Sequence, residues 1–106
     1  MNKCLRAMQQ GNMQYKTLGL KKTAAEEKYR VALQKEIARL ELEGTKVTII
    51  PDLARGNEEV ARLRLERDVA DVNYETCRNS LRYCEKELEI LRSQLAWLKS
   101  ELNKTF

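Results

Sequence analysis

The sequence predicts an all-α protein, a long antiparallel helical hairpin of the coiled-coil type. A short β-strand is expected in the loop between the helices, and the whole is expected to be oligomeric. Two observations carry this prediction. Apolar residues recur at alternating steps of three and four over more than forty positions, as in a coiled coil. Charged residues make up 34% and aromatic residues 6% of the 106 residues, which suits long helices with solvated outer faces better than a compact sheet.

Residues 1–22 are predicted to form a basic N-terminal arm. The arm holds no acidic residue, whereas the acids and cations of the remaining chain nearly cancel. Gly11 and Gly19 interrupt it and its apolar residues lack a sustained period, so we expect a short helix near residues 3–10 and then a mobile connection. The arm is either a solvated tail or a contact with nucleic-acid phosphates or with an acidic protein surface. The candidate phosphate-binding residues are Lys3, Arg6, Lys16, Lys21 and Lys22.

The hairpin itself is predicted to span residues 23–106, and its first helix residues 23–43. Thr23 and Glu26 have the spacing of a capping box, in which the two side chains satisfy the unpaired amides of a first helical turn. Gly44 is the expected left-handed residue that closes the helix. One face of this helix is apolar and comprises Ala25, Tyr29, Leu33, Ile37 and Leu40.

The connecting loop is predicted to span residues 44–57. Residues 46–50 are rich in β-branched side chains and Pro51 follows them, which predicts a short strand. Unpaired strand amides seek partners, so the strands of two copies could pair. Alternatively, the loop recognises another protein or simply closes the hairpin. The candidate partner-binding residues are Val47, Ile49, Ile50, Leu53 and Arg55.

The second helix is predicted to span residues 58–104. Asn57 is a plausible N-cap, and Glu58 and Glu59 fall in the first turn, where the helix dipole favours acids. Arg67 alone interrupts the apolar heptad register, and we interpret it as a residue that fixes register or contacts an acidic partner. The register comprises Val60, Leu63, Arg67, Ala70, Tyr74, Cys77, Leu81, Cys84, Leu88, Leu91, Leu95, Leu98 and Leu102.

The length difference between the two predicted helices indicates self-association. A first helix of residues 23–43 covers only the N-terminal half of the second. Each leucine left uncovered forgoes a burial free energy on the order of 1.5–3 kcal/mol. Val69, Tyr83, Ile90 and Trp97 form a second apolar line beside the first, so the helix expects two neighbours. We therefore predict a homo-oligomer, with a dimer favoured. Its candidate interface residues are Leu81, Leu88, Leu91, Leu95, Leu98, Leu102 and Trp97.

The composition disfavours several classes of function. Histidine is absent, and Cys77 and Cys84 lie too far apart on one helix to bridge, so we expect no metal, cofactor or catalytic site. No stretch has the length and apolarity of a membrane span or of a signal peptide, which favours a cytoplasmic protein. A leucine-zipper DNA-binding protein is disfavoured because acids neutralise the arginines ahead of the leucines.

The segment between the two helices also carries a resemblance. The run Leu42–Gly56, followed by Glu59-Val60-Ala61 and Leu63-Arg64, resembles small proteins encoded by phages and prophages of Gram-positive bacteria, over about residues 20–100. The resemblance implies a small accessory protein that is cytoplasmic in the host, and it assigns no catalytic or binding residue. We therefore expect an interaction protein that binds, and could inhibit, a host or phage protein. The alternative is a nucleic-acid-binding accessory protein that uses the basic arm of an oligomer.

Overall fold

The computed structural model describes residues 2–105 and shows an elongated antiparallel helical hairpin with extents of 86 × 24 × 14 Å. Its elements are α1 (Asn2–Leu42), α2 (Ile50–Gly56) and α3 (Glu58–Thr105). The two long helices pack against each other along most of α1, and the short α2 packs against both at the closed end. The predicted all-α hairpin is confirmed.

Helix α1 begins at Asn2, so the predicted division between a basic arm and a helix starting at residue 23 is wrong. Thr23 lies inside the helix, where its hydroxyl donates to the Gly19 carbonyl at 3.0 Å and does not cap a first turn. The glycines do not break the helix, because both face α3. A Cβ on Gly11 would lie 2.7 Å from Leu81 Cδ2, and one on Gly19 would lie 3.4 Å from Tyr74 Cε2. Packing against α3 offsets the low helix propensity of glycine.

The C-terminal end of α1 agrees with the prediction. Gly44 has a φ of 79°, in the left-handed region that favours glycine. The Gly44 amide donates to the Glu41 carbonyl and the Thr45 amide to the Leu40 carbonyl, both at 3.1 Å. This pair of hydrogen bonds is the Schellman arrangement, which satisfies carbonyls that the helix end leaves without an intrahelical partner.

The predicted strand at residues 46–50 is wrong, since the described residues contain three helices and no strand. The segment instead turns into α2, and Pro51 lies in the first turn of that helix, where its missing amide costs nothing. Ile50 is 4% exposed and packs with Leu40 and Ala54. Burial of this side chain outweighs the preference of β-branched residues for strands, which spans only about 1 kcal/mol.

The start of α3 was predicted correctly. The Asn57 side-chain oxygen accepts hydrogen bonds from the amides of Glu59 at 3.0 Å and Val60 at 3.2 Å, so Asn57 is the N-cap. Glu58 and Glu59 occupy the first turn. The helix then runs without interruption to Thr105, about 70 Å at 1.5 Å per residue.

The buried side chains of the described residues all lie at the closed end of the hairpin. They form two adjoining clusters that share Leu33 as a half-buried neighbour. The core therefore fixes the closed end, whereas the open end depends on contacts between α1 and α3 alone. The buried residues are Tyr29, Leu40, Ile50, Ala54, Val60 and Leu63.

Candidate interaction surface

The heptad register of α3 faces α1 along the body of the hairpin. Tyr74 stacks on Tyr15 with ring centroids 4.8 Å apart, and the two hydroxyl oxygens are 2.5 Å apart. The Cys77 thiol donates to the Gly11 carbonyl with a sulfur-to-oxygen distance of 3.7 Å. Cys77 and Cys84 are unbridged and half-buried. The α1–α3 contact within one chain therefore uses register positions as far along α3 as Leu81.

Two ionic contacts join the same faces of α1 and α3. Lys22 Nζ lies 3.0 Å from Asp71 Oδ1 and 4.6 Å from the Tyr74 ring centroid. The hydrogen bond to Asp71 raises the pKa of Lys22 above its ordinary value. One turn closer to the core, the Arg67 guanidinium lies 4.3 Å from the Tyr29 ring centroid. Its Nε is 3.7 Å from Glu26 Oε2.

These contacts favour the first interpretation of Arg67, a residue that fixes register. The side chain lies between the two helices of one chain, stacked on Tyr29 and paired with Asp68 at 3.0 Å as well as with Glu26. The Asp68 hydrogen bond raises the pKa of Arg67 above its ordinary value. Arg67 thus contributes to the register of α1 on α3, as a polar residue in a coiled-coil core position commonly does.

Beyond Leu88 the same face of α3 is much less covered. The four leucines that continue the register, which we call the leucine stripe, are each about half exposed. Leu91 retains 44% and Leu102 retains 59% of its accessible surface. The register of the two helices explains this exposure, because Gly11 lies at Leu81 and Lys22 at Asp71, which places Asn2 near residue 90 of α3. The stripe consists of Leu91, Leu95, Leu98 and Leu102.

The predicted interface residues therefore divide into two groups. Leu81 contacts the Gly11 region of the same chain and Leu88 is half-buried, so the prediction that the first helix leaves both uncovered is wrong. The physical reason is the length of α1, which has 41 residues because the basic arm belongs to it. The leucine stripe and Trp97, which is 64% exposed, remain on the surface.

A second exposed line runs beside the leucine stripe. Tyr83, Ile90 and Trp97 are spaced by seven residues and retain 58–65% of their accessible surface. The polar residues Glu87, Gln94 and Glu101 lie between this line and the leucine stripe on the helix circumference, so the end of α3 carries two separate apolar lines.

The candidate partner-binding residues of the loop also fall into two groups, four exposed residues and one core residue. Val47 is 80% exposed, Ile49 and Leu53 are about half exposed, and Arg55 is exposed, so these four lie on the surface of the closed end. Ile50 is a core residue, and its inclusion among the partner-binding candidates is wrong. No strand edge is available among the described residues of this loop. The Ile49 amide already donates to the Lys46 carbonyl, and the Leu53 amide to the Ile49 carbonyl.

The candidate phosphate-binding cations do not form one row. Lys22 is committed to Asp71 and to the Tyr74 ring. Lys3, Arg6, Lys16 and Lys21 are exposed, but at about 100° per residue they spread over roughly 140° of the α1 circumference. A continuous track along a nucleic-acid backbone would need these charges closer to one line.

A metal-binding cluster and a membrane-spanning helix are both absent from the described part of the chain. Residues 2–105 contain no cluster of three or more histidine, cysteine or acidic side chains that could hold a metal ion. None of the helices among these residues has both the length and the apolarity that a bilayer span requires.

Comparisons with known proteins bring no relative to this fold. No protein-family model, curated protein or solved structure matches the chain. The functional argument therefore depends on the surface itself.

Proposed function

We propose that this protein is a non-enzymatic coiled-coil interaction protein that associates with copies of itself through the open end of α3. The observation that carries the proposal is the leucine stripe, in which four leucines continue the α1-facing register with about half of their surface exposed. Complete burial of a leucine contributes roughly 1.5–3 kcal/mol, so covering the remaining half of each would contribute about 1 kcal/mol. Two such stripes in one interface would involve eight leucines.

The spacing of the stripe supports a helical partner in particular. Leu91, Leu95 and Leu98 follow the three-four alternation that lets one helix insert its side chains between those of another. Residues Val60 to Leu81 already use this alternation to bind α1 in the body of the hairpin. A helix of the same kind therefore fits the exposed part of the face, and a second copy of the chain supplies one.

The test is the solution mass as a function of concentration, measured by sedimentation equilibrium. The wild-type chain of 12.4 kDa should shift to twice that mass. Leu91→Asp should remain a single copy, because it places two charges, one from each copy, against apolar leucine layers of the interface. Leu65→Asp is the matched control, since Leu65 is 63% exposed and lies on the opposite face of α3. A wild-type chain that stays at 12.4 kDa at high concentration would overturn the proposal.

The biological role that we propose is that of a phage-type accessory protein which acts on a host or phage protein in the host cytoplasm. Its support is the resemblance of residues 42–64 together with the exposed side chains of Ile49, Leu53 and Arg55 at the closed end. This end lies far from the leucine stripe along the 86 Å axis, so self-association leaves it accessible.

A pull-down from Gram-positive host lysate tests this role. One protein should be retained by the wild-type chain and by Leu65→Asp, and it should be lost when Ile49 and Arg55 are both replaced by alanine. Retention that is unaffected by the double substitution would place the partner surface elsewhere. Nucleic-acid binding by the basic arm stays a prediction, and no described contact favours it.

A further inference from the structure

We infer that the second copy docks antiparallel on the leucine stripe, so that two hairpins join end to end through their α3 helices. This inference rests on the proposed self-association and specifies its geometry. The argument starts from the face that the stripe occupies. Leu91 and Leu95 continue the line of Tyr74, Cys77 and Leu81, the line on which α1 of the same chain lies.

The position of α1 decides the direction of the second copy. A parallel partner would place its α3 alongside the first α3 at the open end, with both hairpin bodies pointing the same way. In the bodies, however, each α1 lies on the face that the two α3 helices would share. Packed helices are 8–10 Å apart, so the two α3 axes would have to separate abruptly near residue 90 to admit two α1 helices between them. The uninterrupted α3 has no proline or glycine at which to bend.

An antiparallel partner confines this overlap to its last turn, because only residues 103–105 of its α3 reach the level of residue 90, where α1 begins. Its α3 runs in the same direction as α1 of the first copy and occupies the continuation of the same face, while its own body points away. Leu95 of one copy then lies opposite Leu98 of the other, and Leu91 lies opposite Leu102. Four leucine layers result. The exposed stripe is thus continuous with the interface that α1 and α3 already form within each chain.

The charges that flank the stripe provide a distinguishing test. Arg92 and Lys99 are exposed and lie seven residues apart on one flank. In the antiparallel arrangement Arg92 of each copy approaches Lys99 of the other, whereas in a parallel arrangement Arg92 approaches Glu87 of the other copy. An exposed charge pair of this kind changes an association constant by only about two- to fivefold. The like charges therefore weaken the antiparallel dimer without excluding it. Reversing one of these charges should change the dissociation constant of the dimer.

The first measurement is the length of the dimer by small-angle X-ray scattering. One copy is 86 Å long. Two copies that overlap over about 17 residues at 1.5 Å per residue should have a maximum dimension of roughly 150 Å. A dimer with a maximum dimension close to that of one copy would overturn the antiparallel arrangement and leave self-association intact. A chain that stays a single copy at every concentration would overturn both.

The second measurement uses charge reversal. Lys99→Glu should tighten the dimer roughly five- to tenfold in sedimentation equilibrium, because two repulsive pairs become attractive. Lys86→Glu is the matched control, with the same charge change on the outer face of α3, and it should leave the dissociation constant unchanged. An unchanged or weakened dimer in Lys99→Glu would contradict the antiparallel register, since a parallel dimer places Lys99 next to the uncharged Gln94 of the other copy.

Discussion

Tyr15 and Tyr74 stack across the two long helices at a ring-centroid distance of 4.8 Å and an interplanar angle of 28°, with their hydroxyl oxygens 2.5 Å apart. The residues are 59 positions apart in the chain. Lys22 completes the arrangement, since its ammonium group contacts both the Tyr74 ring and Asp71. This cluster lies outside the buried core and joins the N-terminal half of α1 to α3.

The tyrosine pair should make the hairpin sensitive to alkaline pH. The hydrogen bond to Tyr74 raises the pKa of Tyr15 above its ordinary value of 10.0, and the Asp71 contact raises that of Lys22 above 10.5. A group whose pKa is raised on folding contributes its full stability below the unfolded-state pKa and loses it as the pH rises through the folded-state value. The free energy of unfolding should therefore fall above about pH 10.

Comparison with Tyr15→Phe isolates the tyrosine contribution. Below about pH 10 the variant should unfold at a lower urea concentration than the wild type. Above that pH the two urea midpoints should converge, because the hydroxyl hydrogen bond is lost in the wild type as well. If the difference between the two urea midpoints persisted unchanged into strong alkali, the Tyr15 hydroxyl would not be losing its hydrogen bond as the pH rises.

Alanine substitutions at Gly19 and Gly44 should change the free energy of unfolding in opposite directions. Gly19→Ala should raise the free energy of unfolding by up to about 1 kcal/mol, because alanine favours the helix and the added Cβ meets Tyr74 at 3.4 Å, an ordinary contact. Gly44→Ala should lower it by about 1–2 kcal/mol, because the φ of 79° is strained for alanine. Urea unfolding followed by circular dichroism measures both. Destabilisation by Gly19→Ala would show that the added methyl group does not fit against the Tyr74 ring.

Ile50→Ala should destabilise the protein by about 2–4 kcal/mol, because the side chain is 4% exposed in the cluster with Leu40 and Ala54. Val47→Ala is the matched control. It removes a β-branched side chain from the same segment, but Val47 is 80% exposed, so the free energy of unfolding should change by less than about 0.5 kcal/mol. Similar effects of the two substitutions would contradict the attribution of the destabilisation to the burial of Ile50.

The N-terminal half of α1 shows how far sequence patterns reach and where they stop. A three-four alternation does run through it, along positions that the structure shows to be the less exposed ones of this helix. They are Met8, Gly11, Tyr15, Leu18, Lys22, Ala25 and Tyr29. Gly11 and Lys22 conceal the pattern, because a search for apolar residues does not count them. Gly11 lies on this face because α3 approaches closely there. Lys22 lies on it because its ammonium group pairs with Asp71 and contacts the Tyr74 ring.

The thirteen-position register of α3, the Asn57 cap and the Gly44 helix end are determined by the sequence alone, since each depends on residues within a few positions of one another. The tertiary structure decided which half of that register stays exposed, because the answer depends on the length of α1. It also decided that residues 46–50 turn into a helix, because burial of Ile50 against Leu40 brings together groups from separate elements. Local sequence patterns determine a helix and its apolar face, whereas the element that buries this face is determined by the whole fold.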